Sequence, residues 1–588
     1  MTQFVNLGCQ SQSFVGFLER RPKIFSRSRF PENQFQEGPG LEFKLQPGPS
    51  AKLRRMNEAL AADAPKGRRW PLSLTSLRAS VPSVRETALA SGSALLLVLA
   101  FPNFDIWWLA WIGLAPLLFA VATTSRNRGA FLLGLIWGTI FFYGTCWWLT
   151  YPMIHYGGVS AWLAYPLLLL PVVFVSAFPA LACACISLVV KRFGSAAIFA
   201  APILWVSFDW VRYVVTGQVW NALAYSQAFH PAFIPAAKWG GVYAATFLCV
   251  LPASAIAQAV VRRRFFLASA FLLALAVILA AVNSGLLSRR QEAQRAISYT
   301  DLTVIAVQPN VPMTQMNDLG YRNLLERHIQ LSTQALTREL ITQNRLVIWP
   351  ESPMNFSYSR DPQLQNVIAQ FAQTNHTSVL LNSLEPTPNG GSSNSAILVN
   401  EKGEKVAQYD KIRLMPFGEY VPLPRWLPGS GSVRSIVGEF TPGSSYTLMP
   451  LGALRAGVFI CIEAAHPGIA REFTNEGADV LINISNDGYL GPTPVMRQHL
   501  ANAIFRAVEN DRDMLRVTNS GISAYISSDG SVSDTTPDFQ EAVRTWTIST
   551  GRSGSTFYSR HGDLFAYACA LISLGVISAT FMTRRRRQ

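Results

Sequence analysis

The chain combines long apolar stretches with one long segment of short apolar runs. Seven long apolar stretches follow one another between residues 87 and 286, and an eighth lies near the C-terminus. About 20 apolar residues cross the hydrocarbon core of a bilayer. The first two stretches are separated by only three residues, Pro102 to Phe104, which favours a helical hairpin or a broken helix there. We predict membrane spans at 87–102, 105–123, 129–151, 161–190, 195–214, 239–260, 265–286 and 563–583.

Residues 288–562 have a different pattern, in which short β-rich runs alternate with helical or loop stretches. Such alternation is typical of an α/β domain. Strands are predicted at 302–307, 346–349, 378–381, 395–399, 457–460, 480–484 and 515–518, with a hairpin turn at 400–404 and helices at 321–343 and 493–511. The pattern therefore indicates an α/β domain that lies outside the membrane and is tethered to it on both sides.

Composition agrees with a membrane protein. Hydrophobic residues make up 49% of the chain and charged residues only 14%, whereas about a quarter of a soluble chain is usually charged. This balance excludes a disordered protein, a collagen-like repeat and a small disulfide-bonded scaffold.

The net charge of +15 is concentrated beside the apolar stretches. The excess lies mainly in residues 1–86, in Arg262–Arg264 and in Arg584–Arg587. A nucleic-acid-binding face would instead carry its basic residues on a folded domain. Under the positive-inside rule, the basic loops put the N-terminus in the cytoplasm and the α/β domain on the opposite side of the membrane.

The predicted organisation has five parts. Residues 1–86 form a disordered, basic cytoplasmic extension, for which Met56 is an alternative first residue that would leave 1–55 outside the native protein. The membrane domain covers 87–287 with seven spans, the α/β domain 288–562, an eighth span 563–583, and a basic cytoplasmic tail 584–588.

Three residues of the α/β segment stand at the ends of predicted strands. Cys461 is the single cysteine of residues 288–562, and an unpaired thiol in an oxidising compartment needs a reason. Glu351 follows one apolar strand, and Lys411 follows another run. Taken singly, a buried inert cysteine and solvated or ion-paired charges are the commoner interpretations. Their order and context suggest a catalytic group instead.

The motifs around these residues resemble known families. WPES, YDKIRLMPFGEYVP, ICIE and NISND closely resemble the nitrilase-like carbon–nitrogen hydrolase domain, which has an αββα sandwich fold. FPNFDIWWLAWIGLAPLL and LWVSFDWVRYVVTGQVWNALAYSQ look like the membrane part of the apolipoprotein N-acyltransferases. The resemblance covers roughly 90–583, and it implies a membrane α-helical bundle joined to a nitrilase-like αββα sandwich.

The resemblance implies a role for each motif residue. Glu351 would be the general base, Lys411 the residue that stabilises an oxyanion, and Cys461 the nucleophile. Glu419 and Glu463 match supporting positions of the pattern. These types suit the chemistry, because a carboxylate can accept a thiol proton and an ammonium can stabilise negative charge on oxygen.

Candidate substrate-binding residues are Trp220, Ile462 and Tyr489. Trp220 matches a family position, although an interfacial anchor is an equally good interpretation. Ile462 stands where the family commonly has Tyr, and Tyr489 where Trp is common. These departures put acyl-chain preference in doubt and leave the reaction class unaffected.

The implied activity is acyl transfer from a membrane phospholipid to the α-amino group of a lipoprotein's diacylglyceryl-modified N-terminal cysteine, through a Cys461 thioester. The implied location is the bacterial inner membrane, with catalysis on the periplasmic side. The lipid bilayer is an expected partner; nucleic acid, a metal and an organic cofactor are not expected. The alternatives are a membrane-anchored amidase for a small amide, a transporter with Asp209 and Arg212 in a span, and a Cys–His mechanism using His466.

Overall fold

The computed structural model describes residues 81–264 and 301–585, apart from 315–316, 339–343, 352–355, 389, 423, 425, 427–430, 432–438 and 550–553. Within these ranges the chain forms a bundle of apolar helices and an α/β sandwich. The predicted span at 265–286 and the extension at 1–86, except for 81–86, lie outside the described residues.

The N-terminal part is helical throughout. Its α-helices are α1 (Val84–Ala100), α2 (Leu109–Ile112), α3 (Ala115–Thr123), α4 (Asn127–Cys146), α5 (Thr150–His155), α6 (Ala161–Phe193), α7 (Ala201–Thr216) and α8 (Ala237–Arg262). Short 3₁₀ helices lie at Trp147–Leu149, Ser195–Ala200, Leu223–Gln227 and Pro231–Phe233.

Five helical stretches in the described residues are long and apolar enough to cross a membrane: Asn127–His155, Ala161–Phe193, Ser195–Thr216, Ala237–Arg262 and Leu564–Met582. They correspond to five of the predicted spans. The predicted span at 105–123 is a shorter apolar helix, Leu109–Thr123, which is interrupted between Ile112 and Ala115. The predicted span at 87–102 is the 17-residue helix α1.

The helix ends with basic residues lie on one side of the bundle. Lys191, at the end of α6, donates to the Asn127 Oδ1 atom at 2.8 Å at the start of α4. Arg262, at the end of α8, donates to the Ser195 hydroxyl. The opposite helix ends contact the α/β domain.

The α/β domain contains twelve strands among the described residues: β1 (Asp301–Gln308), β2 (Arg345–Ile348), β3 (Ser378–Pro386), β4 (Ser392–Val399), β5 (Lys405–Asp410), β6 (Leu448–Leu451), β7 (Leu454–Ile460), β8 (Val480–Ser485), β9 (Met514–Thr518), β10 (Ala524–Ile526), β11 (Val532–Ser533) and β12 (Ala542–Ser549). Its α-helices are α9 (Asp318–Leu336), α10 (Pro362–Asn375), α11 (Pro467–Asn475), α12 (Val495–Asn510) and α13 (Phe557–His561), and α14 (Leu564–Arg585) follows. Further 3₁₀ helices lie at Tyr358–Arg360, Cys461–Ala465 and Gly488–Leu490.

The strands form two six-stranded sheets, in the orders β12-β1-β2-β3-β4-β5 and β11-β10-β9-β8-β7-β6. Strands β1 to β3 are parallel, as are β7 to β9, and the outer pairs are antiparallel. Alternate residues of β1 face opposite sides of the first sheet. Ile305 and Val307 pack against α9 and α10. Val304 and Ala306 belong to the core between the two sheets. Strands buried on both faces read as continuous apolar runs, which is why the seven predicted strands are all present.

The α/β domain is joined to the helix ends by polar contacts from α12 and its neighbours. Arg497 pairs with Asp105 at 3.1 Å, and Lys238 pairs with Asp511. Glu509 accepts at 2.9 Å from the backbone N–H of Val242, which follows the break in α8 at Gly240 and Gly241. These contacts place both ends of α12 against the membrane helices.

Candidate active site

Cys461 lies at the junction of β7 and the 3₁₀ helix that follows it. Its side chain is buried, with 6% of the residue exposed. Its φ of 53° is in the left-handed region, which is uncommon for a residue other than glycine. Burial is the main cause that raises the pKa of the thiol, and Glu351 raises it further while Lys411 opposes the shift. Burial therefore favours the neutral thiol over the thiolate.

Lys411 follows β5 and is almost completely buried between two carboxylates. Its Nζ atom lies 2.9 Å from Glu419 Oε1 and 3.5 Å from Glu351 Oε1. Burial opposes its charge, but Glu351 and Glu419 together raise the pKa of Lys411 well above its ordinary value. The ammonium is therefore held charged, and its charge also acts on Cys461.

Glu351 follows β2 and is held by two groups that sequence reasoning did not single out. Asn394, near the start of β4, donates its side-chain amide to Glu351 Oε1 at 2.9 Å and to Glu419 Oε1 at 2.7 Å. The backbone N–H of Asn486 donates to Glu351 Oε2 at 2.9 Å. The sequence contains one sign of the role of Asn394: asparagine is uncommon inside strands, so an asparagine within a strand is a candidate for a specific polar contact.

Glu463 fastens the nucleophile turn to the lysine segment and does not contact Lys411 directly. Its Oε2 atom accepts from the backbone N–H of Ile460 at 2.8 Å. Its Oε1 atom accepts from the Tyr409 hydroxyl at 2.8 Å, and from the backbone N–H groups of Ile412 at 2.8 Å and Arg413 at 2.9 Å. A fully buried carboxylate thus ties together the segments that carry Cys461 and Lys411.

The three predicted substrate-binding residues lie at different depths. Ile462 is buried in the 3₁₀ helix directly after the nucleophile. Tyr489 lies in the 3₁₀ helix after β8, close enough for the charges of Lys411 and Glu351 to act on its phenol, whose pKa burial raises well above the usual value. Trp220 donates its indole N–H to Gln498 Oε1 at 3.0 Å, and thereby joins the membrane part to α12.

His466, although close to Cys461 in sequence, points towards the membrane part. Its Nε2 atom lies 3.0 Å from the side-chain nitrogen of Gln218, and burial lowers the pKa of His466 to about 3. This arrangement does not favour the Cys–His alternative.

Asp209 and Arg212 form the predicted i, i+3 pair on α7, at 3.1 Å. The pair explains the ionisable residues of this helix without a transport pathway. Within the described ranges, no group of three or more His, Cys, Asp and Glu side chains is placed to hold a metal ion.

The fold and these contacts define a carbon–nitrogen hydrolase type of domain on a bundle of membrane helices. Residues 306–558 match the family model for carbon–nitrogen hydrolases, and residues 93–256 match that for the apolipoprotein N-acyltransferase N-terminal domain. The first match confirms the predicted α/β class. The second assigns the apolar helices to an acyltransferase.

Relatives match over most of the chain. An apolipoprotein N-acyltransferase of Geobacter metallireducens is 30% identical over 512 residues, which cover 85% of this chain and 96% of the relative. That of Haemophilus influenzae is 30% identical over 522 residues, covering 84% and 94%. A crystal structure of a carbon–nitrogen hydrolase from Helicobacter pylori covers 42% of this chain and 89% of its own, with 17% identity and a TM-score of 0.34.

The chain belongs to the apolipoprotein N-acyltransferase family. It is an acyltransferase of bacterial membranes, and the small-amide hydrolase alternative is not favoured.

Proposed function

We propose that the protein transfers a fatty acyl chain from a membrane phospholipid to the α-amino group of the S-diacylglyceryl N-terminal cysteine of a lipoprotein, through a thioester on Cys461. The observation that carries this proposal is a buried Cys461 thiol on which the charges of the buried Lys411 and of the partly exposed Glu351 both act, with Lys411 and Glu351 paired at 3.5 Å. No other cysteine lies in residues 288–562.

In the first half-reaction, Glu351 takes the proton of Cys461 while the sulfur attacks the ester carbonyl of the phospholipid. Negative charge develops on the carbonyl oxygen, and Lys411 stabilises it together with N–H groups at the start of the 3₁₀ helix. The C–O bond then breaks. The proton passes from Glu351 to the departing lysophospholipid oxygen, and the acyl chain remains on sulfur.

In the second half-reaction, the free amine of the lipoprotein attacks the thioester carbonyl. Glu351 accepts a proton from the attacking nitrogen, the C–S bond breaks, and the proton returns to Cys461 as the amide forms. Water must be kept from the thioester between these steps, because otherwise the enzyme would be a lipase. Burial of Cys461 supports this requirement.

We further propose that the α/β domain faces the periplasm and that the protein resides in the inner membrane. Two observations support this orientation. The basic helix ends at Lys191 and Arg262 lie on the side away from the α/β domain, and basic residues flank the cytoplasmic ends of spans. Both lipid substrates would then reach the site from the outer leaflet.

Mass spectrometry of the Cys461 peptide tests the proposal. The purified full chain would be incubated with phospholipid carrying a labelled acyl chain and then digested. We expect the parent protein to carry a thioester on Cys461. The Cys461→Ser variant should show no thioester and no transfer to a diacylated lipopeptide. The control variant Cys249→Ala, which alters a buried cysteine of α8, should show unchanged transfer. Full transfer by Cys461→Ser would refute the proposed chemistry.

A further inference from the structure

A closed circuit of buried hydrogen bonds lies behind the nucleophile. His499 Nε2 lies 3.0 Å from the carbonyl oxygen of Cys461, and His499 Nδ1 lies 2.8 Å from Asp487 Oδ1. Arg516 donates to Asp487 Oδ2 at 2.6 Å and to the side-chain oxygen of Asn483. Asn483 donates at 3.3 Å back to the carbonyl oxygen of Cys461. The circuit therefore begins and ends on one atom of the nucleophile residue.

The members of this circuit come from three elements and are all removed from solvent. Asn483 is on β8, Asp487 follows it, His499 is on α12 and Arg516 is on β9, and each is at most 2% exposed. Buried polar groups are costly unless they are paired, and these four side chains pair with one another, which restrains the backbone between them, although the Arg516 Nε atom itself has no hydrogen-bond partner among the described residues. The network is thus suited to fix the position of the backbone it reaches.

His499 is the link between the acid and the nucleophile backbone. Both of its partners are acceptors, so the ring makes both bonds only when it carries a proton on each nitrogen. Burial and then the charge of Arg516 lower the pKa of His499, and the charge of Asp487 opposes this shift. The indole of Trp220 lies over the same ring, with centroids 5.7 Å apart, and connects the circuit to the membrane part.

The Cys461 backbone needs such a restraint. A residue with a side chain in the left-handed region is strained by about 1–3 kcal/mol and persists only where the surroundings hold it. Glu463 holds the turn through the N–H of Ile460. The donors on the Cys461 carbonyl hold the other face of the same turn. Without them, rotation of this peptide would relieve the strain and move the sulfur.

We propose that His499 is a positioning residue, which acts through the Cys461 carbonyl to hold the sulfur at the geometry required for attack. The inference rests on the proposed role of Cys461 as nucleophile. His499 acts from behind the strand end and has no part in proton transfer to or from the substrate.

Substitution of His499, with a matched control, tests this role. His499→Ala removes both bonds, and His499→Gln keeps a side-chain N–H that can reach the carbonyl. His328→Ala is the control, because His328 is also fully buried and lies 2.7 Å from a backbone carbonyl, that of Leu324, but packs on the outer face of the first sheet.

The readout is the steady-state rate of acyl transfer to a diacylated lipopeptide by the full chain in detergent, with labelled phospholipid at several concentrations. A displacement of about 1 Å can cost about 10²-fold. We expect His499→Ala to lower kcat by about 10²-fold with KM within about 3-fold, and His499→Gln to recover about 10-fold of that loss. His328→Ala should keep kcat within about 3-fold, although its Tm falls.

The outcomes separate this inference from the proposed function. Transfer by Cys461→Ser, run in parallel, would refute the nucleophile itself. The positioning role is wrong if Cys461→Ser is inactive but a folded His499→Ala variant keeps kcat within about 3-fold of the parent. It is also wrong if His328→Ala lowers kcat as much as His499→Ala does. Should His499→Ala fail to fold, His499→Phe, which keeps a ring and removes both polar contacts, decides, and a parental kcat in that variant overturns the inference.

Discussion

Asn394 controls the environment of both active-site carboxylates, and Asn394→Asp tests how far catalysis depends on it. Its amide nitrogen donates to Glu351 at 2.9 Å and to Glu419 at 2.7 Å. Aspartate would place an anionic oxygen where the NH₂ group stands. Three carboxylates would then converge on one buried site, and Lys411 alone would offset them.

The size of the effect follows from these distances. Two like charges about 4 Å apart repel by about 4 kcal/mol at an effective dielectric constant of about 20, which corresponds to about 3 pH units of proton affinity. One of the three carboxyl groups should therefore keep a proton at neutral pH. Whenever that proton is on Glu351, the base is lost, and general base catalysis contributes about 10²–10⁴-fold.

We expect Asn394→Asp to form the Cys461 thioester about 10²-fold more slowly at pH 7 and to recover part of the rate as pH rises. Single-turnover measurements between pH 6 and 9 give both quantities. Asn375→Asp is the control, since Asn375 makes its side-chain bond to the Phe371 carbonyl on α10. A rate within about 3-fold of the parent, with an unchanged pH profile, would refute this account of Asn394.

Two stability predictions follow from single contacts. Tyr409→Phe removes a buried hydroxyl that donates to Glu463 at 2.8 Å. Because hydrogen bonds to charged groups contribute about 1.5–3 kcal/mol, denaturant unfolding should show a loss of that size in the free energy of unfolding. An unchanged free energy of unfolding would contradict the bond. Gly491→Ala should destabilise the protein by about 1–3 kcal/mol, because Gly491 has φ of 70° and its new Cβ would lie 2.4 Å from the Tyr151 ring. Gly468→Ala, in α11 with open space around it, should instead stabilise by up to about 1 kcal/mol; thermal unfolding that gave both variants the same sign would contradict the reasoning.

The architecture was predictable where apolar runs are long or buried on both faces. Strands β7 and β8 carry few polar residues because they lie between layers, and so their apolar runs mark them in the sequence. Strand β5 was implied only by the predicted hairpin turn at 400–404 and was given no bounds, since Lys405–Asp410 is polar and half-exposed at the edge of its sheet. Helices α10 and α11 were also missed, because short amphipathic helices resemble loops in a single sequence.

The candidate site was only partly predictable for a related reason. Motifs revealed Glu351, Lys411 and Cys461, and two of these residues, Glu351 and Cys461, also follow apolar strands. The groups that hold them come from distant positions, such as Asn394 on β4 and His499 on α12. An asparagine in a strand or a histidine in a helix has many structural explanations, and only spatial proximity selects the one that applies.

The buried thiol and the requirement for acyl transfer are connected through water. Burial raises the pKa of the Cys461 thiol, so in the proposed mechanism its nucleophilicity depends on proton transfer to Glu351 during attack. The burial that imposes this dependence also limits hydrolysis of the proposed thioester. The amine of the lipoprotein must still reach the acyl group while water is kept out. Trp220 and Gln498 join the two parts close to Cys461, because Trp220 also packs against His499, which contacts the Cys461 carbonyl. Loosening that junction should therefore increase hydrolysis relative to transfer.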